Sequence, residues 1–124
     1  MERTALQPEG IAAPKPPYSP VVVSGDLVYT AGQVPFDENG NLVSEEFAEQ
    51  VHQTFRNLGR CLDAAGCSFG DVIKVNAYVT DFNNFPTFNE IYREYFTEPY
   101  PARTTIGAEL VGFKLEVEAI ARKP

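Results

Sequence analysis

The sequence has no tryptophan, a single histidine, one methionine and two cysteines among 124 residues. Each scarcity removes a class of chemistry. His52 has no second imidazole at metal-ligand spacing and no serine in a nucleophile-elbow sequence to serve, so zinc sites and histidine-dependent triads find no residues here. Cys61 and Cys67 are too few for a disulfide framework and fit a reducing cytoplasm, as two buried and inert thiols. Gly25, Gly32 and Gly40 follow neither a P-loop nor a dinucleotide-binding pattern. There is also no basic stripe. With a net charge of −7, the chain is a poor match for nucleic acid or an anionic membrane surface, both of which are held mainly by Lys and Arg. No apolar run approaches transmembrane length, and the stretch from Met1 to Pro8 has no secretory h-region.

What is present is ordinary for a globular domain: 44% hydrophobic and 22% charged residues, in a length that suits one domain, 1–124, with its own core. Residues 8–20 carry Pro8, Pro14, Pro16, Pro17 and Pro20 and must be extended or turn-like. Val21-Val22-Val23 and Leu27-Val28-Tyr29-Thr30-Ala31, separated by Ser24-Gly25-Asp26, read as a tight hairpin. Turn chemistry makes 35–41 a loop. Ser44 is then an N-cap for a helix whose stripe is Phe47, Val51, Phe55, Leu58, Leu62 and Ala65, closed by Gly66.

The run from Val72 to Val79 alternates, with Ile73, Val75, Ala77 and Val79 expected on the core face and Lys74, Asn76 and Tyr78 opposite. A second helix is expected from Asn83 or Asn84, with Pro86 in its first turn and Phe85, Phe88, Tyr92, Tyr95 and Phe96 on its apolar face. Strands at about 102–108 and 114–122 close the chain, the last one facing Leu115, Val117, Ala119 and Ala121 inward. With a short strand around 2–6, the order is β-β-β-α-β-α-β-β, an α+β fold. Its single six-stranded mixed sheet carries two helices on one face. The other face, with Lys74, Asn76, Tyr78, Glu116 and Glu118, is either solvated or buried against another subunit.

With metal, phosphoryl and histidine chemistry set aside, the remaining route is a substrate held by charge and activated by carboxylate and backbone groups. Arg103, after Pro101-Ala102 at the start of a strand, is the residue type that orients a planar carboxylate, because its fork donates two parallel hydrogen bonds. Spacing alone favours a surface ion pair or a subunit contact over catalysis.

The motifs in which Arg103 sits resemble the Rid family (reactive intermediate deaminase, also called YjgF/UK114). Pro17-Tyr18-Ser19 is similar to the family's P-Y-S segment, and Thr30-Ala31-Gly32-Gln33-Val34-Pro35 to its S-G-Q-I-P run. Phe88-Asn89-Glu90-Ile91-Tyr92 with Tyr95-Phe96 resembles its N-x-x-Y-x-x-F-F helix, Pro101-Ala102-Arg103 its P-A-R motif, and Glu116-Val117-Glu118-Ala119-Ile120-Ala121 its E-x-E-A-I-A strand. The resemblance implies a homotrimer whose sheets face a central barrel, with sites in the clefts between subunits and no metal or organic cofactor. It also implies hydrolysis of 2-imino and enamine acids (2-aminoacrylate or 2-iminopropanoate, and 2-iminobutanoate) to 2-oxo acids and ammonia.

By motif position, Arg103 would bind the substrate carboxylate and Glu116 would position the water. Tyr18, Asn89 and the backbone of Gly32 and Thr105 would complete the site. Thr105 stands where the family often has Cys, Ala31 replaces a common Ser, and the turn 108–113 is short. These departures motivate a second reading, a non-enzymatic trimer that binds or senses small carboxylates. Nuclease activity, attached to some family members, is disfavoured by the acidic charge and the lack of a histidine-based site.

Overall fold

Gly25 and Asp26 alone make the turn between strands β2 (Val21–Ser24) and β3 (Leu27–Thr30), since Ser24 already pairs with Leu27. Gly25 takes φ 61°, the left-handed conformation that a two-residue hairpin requires and that glycine adopts without a Cβ penalty. The computed structural model describes residues 2–124. In chain order the other elements are β1 (Arg3–Leu6), α1 (Phe47–Ala64), β4 (Val72–Val79), α2 (Phe85–Tyr95), β5 (Ala102–Gly107) and β6 (Leu115–Arg122). The predicted order of elements is thus the observed one.

The strands form one six-stranded sheet ordered β1-β2-β3-β6-β4-β5. Only β4 and β5 run parallel, because α2 returns the chain between them; the other neighbours are antiparallel. The core lies between one sheet face and the two helices. Val28, Val75, Ala77, Val117 and Ala119 meet Val51, Phe55, Leu58, Phe88 and Tyr92 there. Phe55 is its hub, stacked on Tyr95 at 4.9 Å between ring centres and 5.9 Å from Phe88.

Two expectations need correction. Ile73 is not a core residue: Val72 pairs with Ala121 and Lys74 with Ile120, so Ile73 is the extra residue of a β-bulge. Val72 takes the buried place at 6% exposure while Ile73 stands 48% exposed. Ser44 does not cap α1 itself. Its hydroxyl accepts the Glu46 N–H at 2.9 Å in the turn before the helix, which starts at Phe47 with no side-chain cap. The rest of the α1 stripe is buried as expected, and Gly66 follows the helix at φ 77°. The α2 helix begins at Phe85 behind a 3-10 turn over Phe82–Asn84, and it buries Ile91 in addition to Phe88 and Tyr92.

Hydrophobic pattern could not reveal the buried amides of α1. Asn57 donates to the carbonyls of Val34 and Phe36 at 2.8 and 2.9 Å, fastening the loop after β3 to the helix. Gln50 donates to Ser44 O at 2.8 Å and accepts the Lys114 N–H at 2.9 Å, pinning the turn before β6. On the sheet face without helices, Tyr78 donates to Glu118 at 2.9 Å and Lys74 to Thr104 at 2.9 Å. Tyr29 and Ile106 stay exposed.

Candidate active site

Arg103 is the second residue of β5 and pairs with the buried Val75 of β4, so its side chain rises from the helix-covered face of the sheet. There α2 receives it. The guanidinium carbon lies 4.7 Å from the ring centre of Tyr92, 5.5 Å from Phe88 and 5.6 Å from Phe85. One Nη donates to Asn89 Oδ1 at 2.8 Å. Residues 85, 88, 89 and 92 share one helical face, which is why one element can supply both the rings and the amide. Aromatic faces and a neutral amide hold a guanidinium in place without neutralising it. The only ion pair among the described residues is Arg122–Asp26, so the intrachain ion-pair reading of Arg103 does not hold.

The guanidinium faces a cleft of about 300 Å³ lined by Phe85, Asn89, Tyr92, Arg93, Tyr100 and Pro101. The Tyr92 hydroxyl is buried without a partner among the described residues, and burial pushes its pKa up to about 12. Thr105, two residues along β5, shares the Arg103 side of the strand. Its hydroxyl is likewise buried and unpartnered. Because β5 is an edge strand, alternate backbone groups along it have no ladder partner and are free for a ligand.

Glu116 points the other way. It pairs with Tyr78 across β6 and β4, on the sheet face that carries no helix. Burial first, and then the neighbouring Glu118, hold its carboxyl pKa above the ordinary range. Arg103, on the opposite face of the sheet, is not among the groups that shift it within one chain. The Glu116 side chain rests against Gly32, where a Cβ would come within 2.6 Å of the carboxyl carbon. Gly32 sits in the loop tied to β6 by the two backbone bonds between Gln33 and Val117, at 2.7 and 3.0 Å. In Gly32→Ala the added methyl should displace the Glu116 carboxyl, and any rate that depends on that carboxyl should fall, by up to about a hundredfold for a shift of an ångström. Steady-state rates, alongside a circular dichroism spectrum that stays native, check it.

Tyr18 projects from the proline-rich segment, 54% exposed, and shares with Gly32 a second cleft of about 340 Å³. The candidate residues therefore fall into two groups. Arg103, Asn89 and Thr105 gather on the helix side of the sheet edge. Tyr18 and Gly32 line a different cleft, and Glu116 packs behind Gly32. The cradle of Phe85, Tyr92, Arg93 and Tyr100 was not singled out as a site from sequence. Its signal was the placing of Phe85 and Tyr92 on either side of Asn89 at helical spacing.

This arrangement has relatives. A family model described as Endoribonuclease L-PSP matches residues 10–123. The human 2-iminobutanoate/2-iminopropanoate deaminase is 41% identical, across 85% of this chain and 79% of that protein. The chain belongs to the Rid family. Another relative, a RutC family protein of Pyrococcus horikoshii, is 41% identical over 90% of this chain and 92% of its own. Among solved structures, RidA of an Antarctic Psychrobacter superposes with a TM-score of 0.89 at 35% identity, covering 96% of this chain and 98% of that one. Escherichia coli TdcF with bound serine does so at 0.90 and 32%, covering 98% and 99%. The Rid fold is thus shared over nearly the whole chain. Among the described residues, no three His, Cys, Asp or Glu side chains are grouped to hold a metal ion, and no helix is long and apolar enough to cross a membrane.

Proposed function

We propose that this Rid-family chain hydrolyses reactive 2-imino and enamine acids, such as 2-iminopropanoate and 2-iminobutanoate, to 2-oxo acids and ammonia. The observation that carries the reading is Arg103, an unneutralised guanidinium held against three rings and one amide at the mouth of a cleft. Relatives about two-fifths identical that are named for this reaction support it, among them the human and mouse proteins at 41% and 42%.

In this mechanism the Arg103 fork takes the substrate carboxylate through two charge-assisted hydrogen bonds and fixes the adjacent C=N carbon. Glu116, as a carboxylate, takes a proton from water as its oxygen attacks that carbon. That proton passes to the imine nitrogen; Glu116 then carries the carbinolamine hydroxyl proton to the same nitrogen as the C–N bond breaks, so ammonia leaves and the carbonyl forms. A hydrolysis has no net oxidation and calls for no redox cofactor. Asn89 keeps Arg103 aimed. Tyr18, with the backbone of Gly32 and Thr105, closes the site around the substrate.

Arg103 and Glu116 stand on opposite faces of one sheet, so a working site needs Arg103 of one copy beside Glu116 of another. We therefore take the functional unit to be a homotrimer, its helix-free sheet faces turned inward around a central barrel. The half-apolar character of that face, with Tyr29 and Ile106 uncovered, supports burial against neighbours. Cys61 and Cys67 are free and buried, which fits a reducing compartment such as the cytoplasm.

The test is release of ammonia and 2-oxo acid from 2-iminobutanoate generated in situ. Acceleration well above spontaneous hydrolysis is expected, and a rate equal to the protein-free control would overturn the enzyme reading. A second reading keeps the anchor without the chemistry. Because a single chain carries Arg103 away from Glu116, it can grip a carboxylate without hydrolysing an imine, and the family member would then be a binder or sensor of small carboxylates. Binding of a 2-oxo acid with no acceleration would establish that reading. A nuclease has little to work with: Nδ1 of His52, the one histidine, lies 2.7 Å from the Tyr95 hydroxyl on the contact between the helices.

A further inference from the structure

The Arg103 cleft holds a second guanidinium. Arg93, one residue beyond Tyr92 on α2, lines the same cleft. Asn89 stands between the two: its side-chain oxygen accepts from Arg103 at 2.8 Å, and its main-chain oxygen accepts from Arg93 at 3.4 Å. The second bond is long and therefore weak. Arg93 has no carboxylate within ion-pair distance among the described residues. The lining contains no acidic side chain at all, in a chain whose net charge is −7. Two like charges facing one cleft repel each other. A single substrate carboxylate would neutralise one of them and leave the other uncompensated.

We infer that this cleft selects 2-imino acids whose side chain ends in a second carboxylate, the class formed from 2-amino dicarboxylic acids. This inference rests on the reading of Arg103 as the anchor for the 2-carboxylate. Arg93 then receives the distal carboxylate, while Phe85, Tyr92 and Tyr100 border the methylene stem. The cleft, about 300 Å³ in the single chain, has room for that longer substrate. Selectivity comes from charge complementarity at Arg93, and a partly exposed pair of this kind supports a preference of about two- to fivefold.

The experiment compares 2-oxoglutarate with 2-oxopentanoate, product analogues of equal chain length with and without the distal carboxylate. Binding is measured by calorimetry on the assembled protein at fixed ionic strength, in parallel with turnover of the imines made in situ from glutamate and norvaline. The wild type is expected to favour the diacid about two- to fivefold in both readouts. Arg93→Gln should bring the ratio to near one, Arg93→Lys should keep most of it, and Arg103→Ala should abolish binding of both ligands. A wild-type ratio of one or less would overturn the diacid assignment while leaving the anchor intact, provided that 2-oxopentanoate still needs Arg103. A ratio that survives Arg93→Gln, or a loss shared equally by both ligands, would also overturn it. Binding of neither ligand, or binding indifferent to Arg103, would remove the anchor and this inference together.

Discussion

Arg103→Ala should lose essentially all accelerated hydrolysis of 2-iminobutanoate while keeping its fold. Two charge-assisted hydrogen bonds to a carboxylate are worth about 1.5–3 kcal/mol each. Their joint loss lowers kcat/KM by about 10²- to 10⁴-fold. Arg103→Lys is the more informative partner. It keeps the charge but forfeits the planar fork, which lies on Phe85, Phe88 and Tyr92 and in the proposed mechanism grips the carboxylate, so a loss of about 10- to 100-fold is expected. The measurement is the rate of ammonia release at several imine concentrations. An unchanged rate in Arg103→Ala would remove the mechanism outright.

Glu116→Gln should be nearly as damaging, because the amide cannot take a proton from water; a fall of about 10²- to 10⁴-fold is expected. The wild-type pH profile carries a further signature. In the proposed mechanism only the carboxylate form of Glu116 acts as base, and burial together with Glu118 holds its pKa above the ordinary carboxylate range. The rate should therefore climb with pH along an acid limb displaced above that range. The limb should move down in Glu118→Gln, which removes the like charge. Once the substrate carboxylate has neutralised Arg103, that direction persists in kcat. Folding stability follows the same sign. A raised carboxyl pKa means the folded chain holds this proton more tightly than the unfolded one. Its stabilising contribution is complete below the unfolded pKa and declines as pH rises through the folded pKa. Glu116→Gln should flatten that decline.

Much of the architecture was legible because the deciding signals are local. The α1 stripe, the hairpin around Gly25 and the inward run of Leu115, Val117, Ala119 and Ala121 each follow from spacing and turn chemistry, and each stands where expected. Ile73 was misplaced because a bulge adds one residue to β4, and a two-residue period cannot register an insertion that only the pairing with β6 defines. The buried amides of Gln50 and Asn57 were illegible for a similar reason. Their partners, Lys114 and Val34, are brought near only by the fold.

The candidate site divides in the same way. That Arg103 lies in the first residues of a strand, and that a helical face near it carries Asn89, could be read from the motifs. The division of Arg103 and Glu116 between the two sheet faces could not be read from them. It depends on the parallel register that sets Arg103 against Val75 and the antiparallel register that sets Glu116 against Tyr78. Neither register is written in a single strand. Arg93 escaped notice because a lone arginine on a helix is ordinarily a solvated residue, and only the cleft shows what it shares with Arg103.

The central claim is that the catalytic pair is assembled from two copies of the chain, and mixing two inactive variants tests it directly. If the proposed assembly holds, Arg103→Ala and Glu116→Gln chains, unfolded together in equal amounts and refolded, should form mixed trimers. If each site joins Arg103 of one copy to Glu116 of the next around a closed ring, about one quarter of the sites regain both residues. The account predicts recovery of about a quarter of the wild-type rate from two preparations that are each inactive alone. A mixture that stays inactive, although mass spectrometry shows the trimers to be mixed, would contradict it.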